Sequence, residues 1–186
     1  MSEAVLLFAG QGAQRVGMGK DLVDAFPAAA TAFEKADAVL GRALSSLVFE
    51  GAEDELTKTA NCQPALFVHG LALLEVLQGE VPELKPVAAA GLSLGELTAH
   101  TAAGTFGFEE GLRVVATRGA LMDEACAATD GAMAAMIGGD QEAVTGKSGA
   151  EMFRLDPPCR FRDDIPDQTG EAFIHVPPAG RDVQRT

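Results

Sequence analysis

The 186-residue sequence has no tryptophan and no tyrosine, only three cysteines, and 14 Lys and Arg against 27 Asp and Glu. Its formal net charge of −13, without any cluster of basic residues interleaved with aromatics, argues against non-specific binding to nucleic acid or to an anionic membrane. Cys62, Cys126 and Cys159 lie far apart, with no C-x-x-C and no histidine at ligand spacing. Neither a disulfide framework nor a metal site is therefore expected, and the thiols are expected to be reduced. No apolar run approaches the roughly 18 to 20 residues that span a bilayer, so no membrane segment is expected. The start, MSEAVLLFAGQGAQ, lacks a basic region and a small-residue cleavage signal, which leaves a cytoplasmic location as the expectation. Gly146-Lys147-Ser148 does not complete a phosphate loop, because Gln141 stands where that motif needs glycine.

What is present is a chain of 47% hydrophobic residues, enough for one domain with a sizeable core or for part of a larger one. Residues 4–8 (AVLLF) read as a buried strand running into a glycine-rich loop. Residues 20–40 read as helix, interrupted near Pro27 and stopped at Gly41. A second helix is expected from Pro64, placed in its first turn, to Gly79. A strand over 87–90, a helix over 94–103, a long helix over 109–128 and a possible strand over 132–137 follow. Strands alternating with helices imply an α/β fold with a mostly parallel sheet. Beyond Gly139 the pattern changes: residues 140–186 hold five of the nine prolines and five of the nine arginines, with no sustained period. The expected organisation is a catalytic region over 1–139 and an irregular tail over 140–186.

Gly91-Leu-Ser-Leu-Gly95 matches G-x-S-x-G, in which a strand turns sharply into a helix at the serine. Small flanking residues fit that crowded turn, and the helix start brings N–H groups and a positive dipole end to Ser93. Ser93 is thereby a candidate nucleophile, with the Leu94 N–H as a first oxyanion donor. A serine hydroxyl also needs a base. His100 lies seven residues further along the same helix, about 10 Å away at 1.5 Å per residue, beyond hydrogen-bond reach. His69 has apolar neighbours and reads as a structural residue; His175 lies in the tail.

Winding residues 109–128 as a helix puts Leu112, Val114, Val115, Gly119, Leu121 and Met122 on one arc with Arg118 near its middle, and Glu110, Arg113, Thr117, Asp123 and Glu124 on the other. An inward guanidinium requires a fixed anion. Geometry leaves two readings level: an ion pair with a carboxylate of the core, or a clamp for a substrate carboxylate.

Residues 7–14 (LFAGQGAQ), Gln63-Pro-Ala-Leu, residues 91–96 (GLSLGE), Arg118-Gly-Ala-Leu-Met and Gly131-Ala-Met-Ala-Ala resemble, in order and spacing, the N-terminal half of malonyl-CoA:acyl-carrier-protein transacylases. The resemblance implies an α/β-hydrolase-like core, here incomplete. It also implies a ping-pong transfer of malonyl from coenzyme A, through a serine ester, to the phosphopantetheine thiol of acyl carrier protein, serving fatty-acid or polyketide synthesis. On the matching positions Ser93 is the nucleophile, Gln11 and Leu94 supply the oxyanion-hole N–H groups, Arg118 grips the malonyl carboxylate and Gln63 lines the pocket. No cofactor or metal is implied beyond the two substrates. Leu92 departs from the histidine often found before the serine.

The likeness is expected to end near Gly139, and the tail's Ala172-Phe-Ile-His175 echoes the family's histidine motif at too short a spacing, so no base is carried over. A truncated or frame-shifted transacylase with impaired activity is the resulting expectation. Two alternatives stand beside it: a serine hydrolase of the esterase type, which would not need Arg118, and a non-catalytic fragment.

Overall fold

The computed structural model describes residues 2–129 and 172–175. Every described residue belongs to one compact unit of the chain. The possible strand over 132–137, and the tail apart from 172–175, lie outside the described residues.

The chain opens with β1 (Ser2–Phe8), followed by α1 (Lys20–Ala25) and α2 (Pro27–Leu40). These two helices are split where expected: Phe26 is extended, Pro27 opens α2, and Gly41 closes it in the left-handed conformation at φ 64°. Two short helices without a sequence expectation follow, α3 (Leu44–Glu50) and α4 (Glu53–Thr57). Then come α5 (Thr59–Glu80), β2 (Leu84–Gly91), α6 (Leu94–Ala102), α7 (Phe108–Thr129) and β3 (Ala172–His175).

The start of α5 corrects the expectation that Pro64 lies in its first turn, since five helical residues precede it. Proline has no N–H for the carbonyl four residues back, here that of Ala60. Arg42 supplies the missing donor, its Nη2 reaching the Ala60 oxygen at 3.0 Å while Nη1 donates to Asn61 Oδ1. Helix α5 is also long and apolar enough, at 22 residues and a mean hydropathy of 1.2, to meet the length and composition of a membrane span, contrary to the reading of the sequence. Burial explains it: Phe67, Val68, Ala65 and Ala72 are fully enclosed in the core with Phe33, Leu44, Leu56, Leu94 and Leu112. A helix packed on most sides is apolar nearly all round.

The sheet is small and mixed. β1 and β2 pair in parallel, Phe8 opposite Gly91, with an irregularity between Ala4 and Val5. β3 runs antiparallel on the other side of β2, so that residues 172–175 of the tail are not irregular. On β1, Val5 and Leu7 are 52% and 72% exposed. The parallel pair ends at the point where β2 enters α6, which is where the site is built.

Candidate active site

β2 passes into α6 through Leu92 and Ser93. Ser93 caps the helix with φ 55° and ψ −106°, and among the described residues it is the one non-glycine with positive φ. Such a conformation costs about 1–3 kcal/mol and persists only where surrounding packing enforces it. That packing is visible: a Cβ on Gly91 would collide with the Gly95 backbone, and one on Gly95 with the carbonyl of Phe8. Strand β1, strand β2 and the first turn of α6 therefore touch backbone to backbone, leaving Ser93 and Leu92 exposed. Leu94, by contrast, is fully buried. Its N–H belongs to the first turn of α6, whose donors have no carbonyl within the helix.

Arg118, half-buried on α7, faces this turn. Its Nη2 donates to Ser93 Oγ at 2.9 Å and its Nη1 to Gln63 Oε1 at 2.7 Å. Gln63 is 1% exposed on α5, and its Nε2 donates to Met122 Sδ at 3.2 Å. The amide has to sit this way round, because a guanidinium only donates and needs the oxygen. Of the two sequence readings of Arg118, the core ion pair finds no support: no carboxylate lies within salt-bridge distance of it among the described residues. A permanent cation held by two neutral oxygens retains its capacity for an anion.

The arc drawn for α7 needs correction. Leu112 and Val115 are buried as expected, but Val114 and Leu121 are 40% and 59% exposed. With Arg113, Thr117, Arg118 and Met122 they line an open groove of about 640 Å³. Asp123, assigned to the outer arc, instead turns toward α5 and accepts from the N–H groups of Thr59 and Ala60 at 3.2 and 2.8 Å. Neither Asp123 nor Thr59 was found from the sequence. The signal was there only if α5 begins at Thr59, where unpaired first-turn N–H groups call for an acceptor.

Gln11 sits in the loop after β1; its Nε2 donates to Thr59 Oγ1 at 3.3 Å, and its Oε1 is buried with no partner among the described residues. His100 and His69 are engaged elsewhere. His100 Nδ1 lies 3.4 Å from Thr105 Oγ1 and its ring faces Phe106. His69 packs against Gly19, where burial holds its pKa below the usual histidine value; Asp21 opposes that shift and Arg15 adds to it. The backbone of His175 pairs with Ala88, about 10 Å back along the strand from Gly91. No group of three metal-ligating side chains occurs among the described residues.

Residues 5–148 match the acyl transferase domain family, so that the likeness runs past Gly139 to Ser148. The malonyl CoA-acyl carrier protein transacylase of Bacillus subtilis (strain 168) is 46% identical over 144 residues, which are 77% of this chain and 45% of the relative. A solved complex of a type II polyketide synthase acyl-carrier protein with its malonyl-transacylase is similar at a TM-score of 0.63 and 44% identity, over 67% of this chain and 40% of that one. The acyl-carrier-protein S-malonyltransferase of Bartonella henselae gives a TM-score of 0.66 at 39% identity, over 78% of this chain and 47% of that one. The chain spans about half the length of these relatives.

Proposed function

Because the chain belongs to the acyl transferase domain family, we propose that it moves a malonyl group from malonyl-CoA to the phosphopantetheine thiol of acyl carrier protein, by way of an ester on Ser93, feeding fatty-acid or polyketide synthesis. The carrying observation is the 2.9 Å contact between Arg118 Nη2 and the oxygen of a serine held at positive φ. An esterase needs the strained serine but not the cation. A malonyl group needs both, since its free carboxylate must be held while its thioester reacts.

In the first half-reaction Ser93 Oγ attacks the thioester carbonyl, and its proton leaves to a base. The oxyanion collapses, the C–S bond breaks, and the coenzyme A thiol departs with a proton. The carrier-protein thiol then attacks the Ser93 ester, the C–O bond breaks, and the serine hydroxyl is restored. The N–H groups of Leu94 and Gln11 are assigned to the oxyanion, for which the buried start of α6 supplies both a donor and dipole. Arg118 is assigned to the malonyl carboxylate, bidentately, with Gln63 holding the guanidinium in plane. Arg118 stays charged and is not the base. Neither His100, beside Thr105, nor His69, packed on Gly19, is assigned as the base.

The same reading takes the core as α/β-hydrolase-like at its strand–serine–helix turn, requires no cofactor beyond the thioester donor and the thiol acceptor, and places the reaction in the cytoplasm. Incubation with radiolabelled malonyl-CoA tests it. Label should appear on the chain and vanish in Ser93→Ala; equal label in both, or none after long incubation, would refute the transfer.

A further inference from the structure

We infer that Asp123 and Thr59 form a positioning pair that sets the geometry of the Arg118 clamp, and through it the preference for a carboxylated over a plain acyl group. This rests on the malonyl-transfer reading above. Asp123 places one carboxylate oxygen on the Thr59 N–H and the other on the Ala60 N–H, at 3.2 and 2.8 Å, binding the first turn of α5 to α7. One turn earlier on α7, Gly119 lets the two backbones meet: a Cβ there would stand 2.8 Å from the Thr59 oxygen and 3.1 Å from the Ala60 Cα. The tie is therefore short and stiff, made of main chain and one short side chain.

Both halves of the clamp lie within about a turn of it. Arg118 precedes Gly119 on α7, Gln63 follows Thr59 by four residues on α5, and Met122, which accepts from Gln63, adjoins Asp123. A shift of α5 along α7 would change the 2.7 Å Arg118–Gln63 bond directly. Thr59 carries the tie to a third element, since its Oγ1 accepts from Gln11 Nε2 in the loop assigned to the oxyanion. The guanidinium, through Gln63, and the oxyanion loop, through Thr59 Oγ1, thus both refer to the start of α5, which Asp123 ties to α7. Displacements near 1 Å in such constellations cost on the order of 100-fold in rate. A plain helix cap would stabilise α5 without affecting which acyl group is loaded.

The test compares Ser93 loading from malonyl-CoA and acetyl-CoA in the full chain carrying Asp123→Ala or Asp123→Asn, with Phe33→Leu in α2 as a control for lost stability. Asp123→Ala should lower the malonyl-to-acetyl ratio about tenfold, and Asp123→Asn, which keeps one acceptor oxygen, should recover most of it. An equal fall in both loadings, or the same change of ratio in Phe33→Leu, overturns the inference. Should the unaltered chain load neither group, the transfer reading fails by itself. The Gln63 side-chain amide resonances then decide this inference: moved by Asp123→Ala they support it, unmoved they overturn it.

Discussion

Arg118 on α7 and Ser93 at the cap of α6, 25 positions apart in sequence, meet through a 2.9 Å hydrogen bond from guanidinium to hydroxyl. On the proposed reading, the pair calls for an electrophile at the serine and an anion at the arginine. A malonyl thioester meets both, at opposite ends of a three-carbon unit.

Removing the cation should change selectivity more than reactivity. Arg118→Ala is expected to slow malonyl loading about 100-fold, on the scale of two charge-assisted hydrogen bonds, while acetyl loading changes far less. Arg118→Lys should recover part of the charge but not the fork. Parallel loading assays with the two thioesters measure the ratio; equal losses would show that Arg118 does not read the carboxylate.

Gln63 offers the converse experiment. Gln63→Glu puts a carboxylate where a neutral oxygen now accepts at 2.7 Å, in a position only 1% exposed. The new ion pair would satisfy Arg118 internally, and malonyl loading is expected to fall about tenfold with the fold intact. Unchanged loading at normal thermal stability would remove Gln63 from the clamp.

The turn itself can be probed at Gly95, whose added Cβ would strike the Phe8 carbonyl. Backbone cannot yield as a flexible side chain does, so Gly95→Ala should destabilise by about 3 kcal/mol and abolish Ser93 labelling. Denaturant midpoints give the first quantity; wild-type stability would contradict the packing described.

His69 predicts a pH dependence of stability. Burial depresses its folded pKa below the ordinary value of 6.5. Below 6.5 the unfolded chain therefore takes up the proton more readily than the folded one, and stability present above that value is lost as the pH falls through it and beyond. Stability should decline as the pH falls below about 7, and His69→Gln should flatten that decline. Parallel pH profiles of the two proteins would count against a buried, neutral His69.

Local sequence was enough wherever the cause was local. The G-x-S-x-G turn, the break at Pro27, the left-handed stop at Gly41 and the helix leaving Ser93 were legible because sterics within a few residues dictate them. Motif order was enough to bring Ser93, Arg118 and Gln63 into one hypothesis. Tertiary structure decided what depends on elements far apart in sequence. Asp123 looked outward on a helical wheel, but the unpaired N–H groups at the start of α5 draw it inward. Helix α5 begins before Pro64 because Asp123 and Arg42 satisfy polar groups that its own sequence leaves open. At Arg118 the helical period left an ion pair and a clamp level, and the family's motifs favoured the clamp; packing adds that the guanidinium donates to two neutral oxygens, with no carboxylate in salt-bridge distance among the described residues.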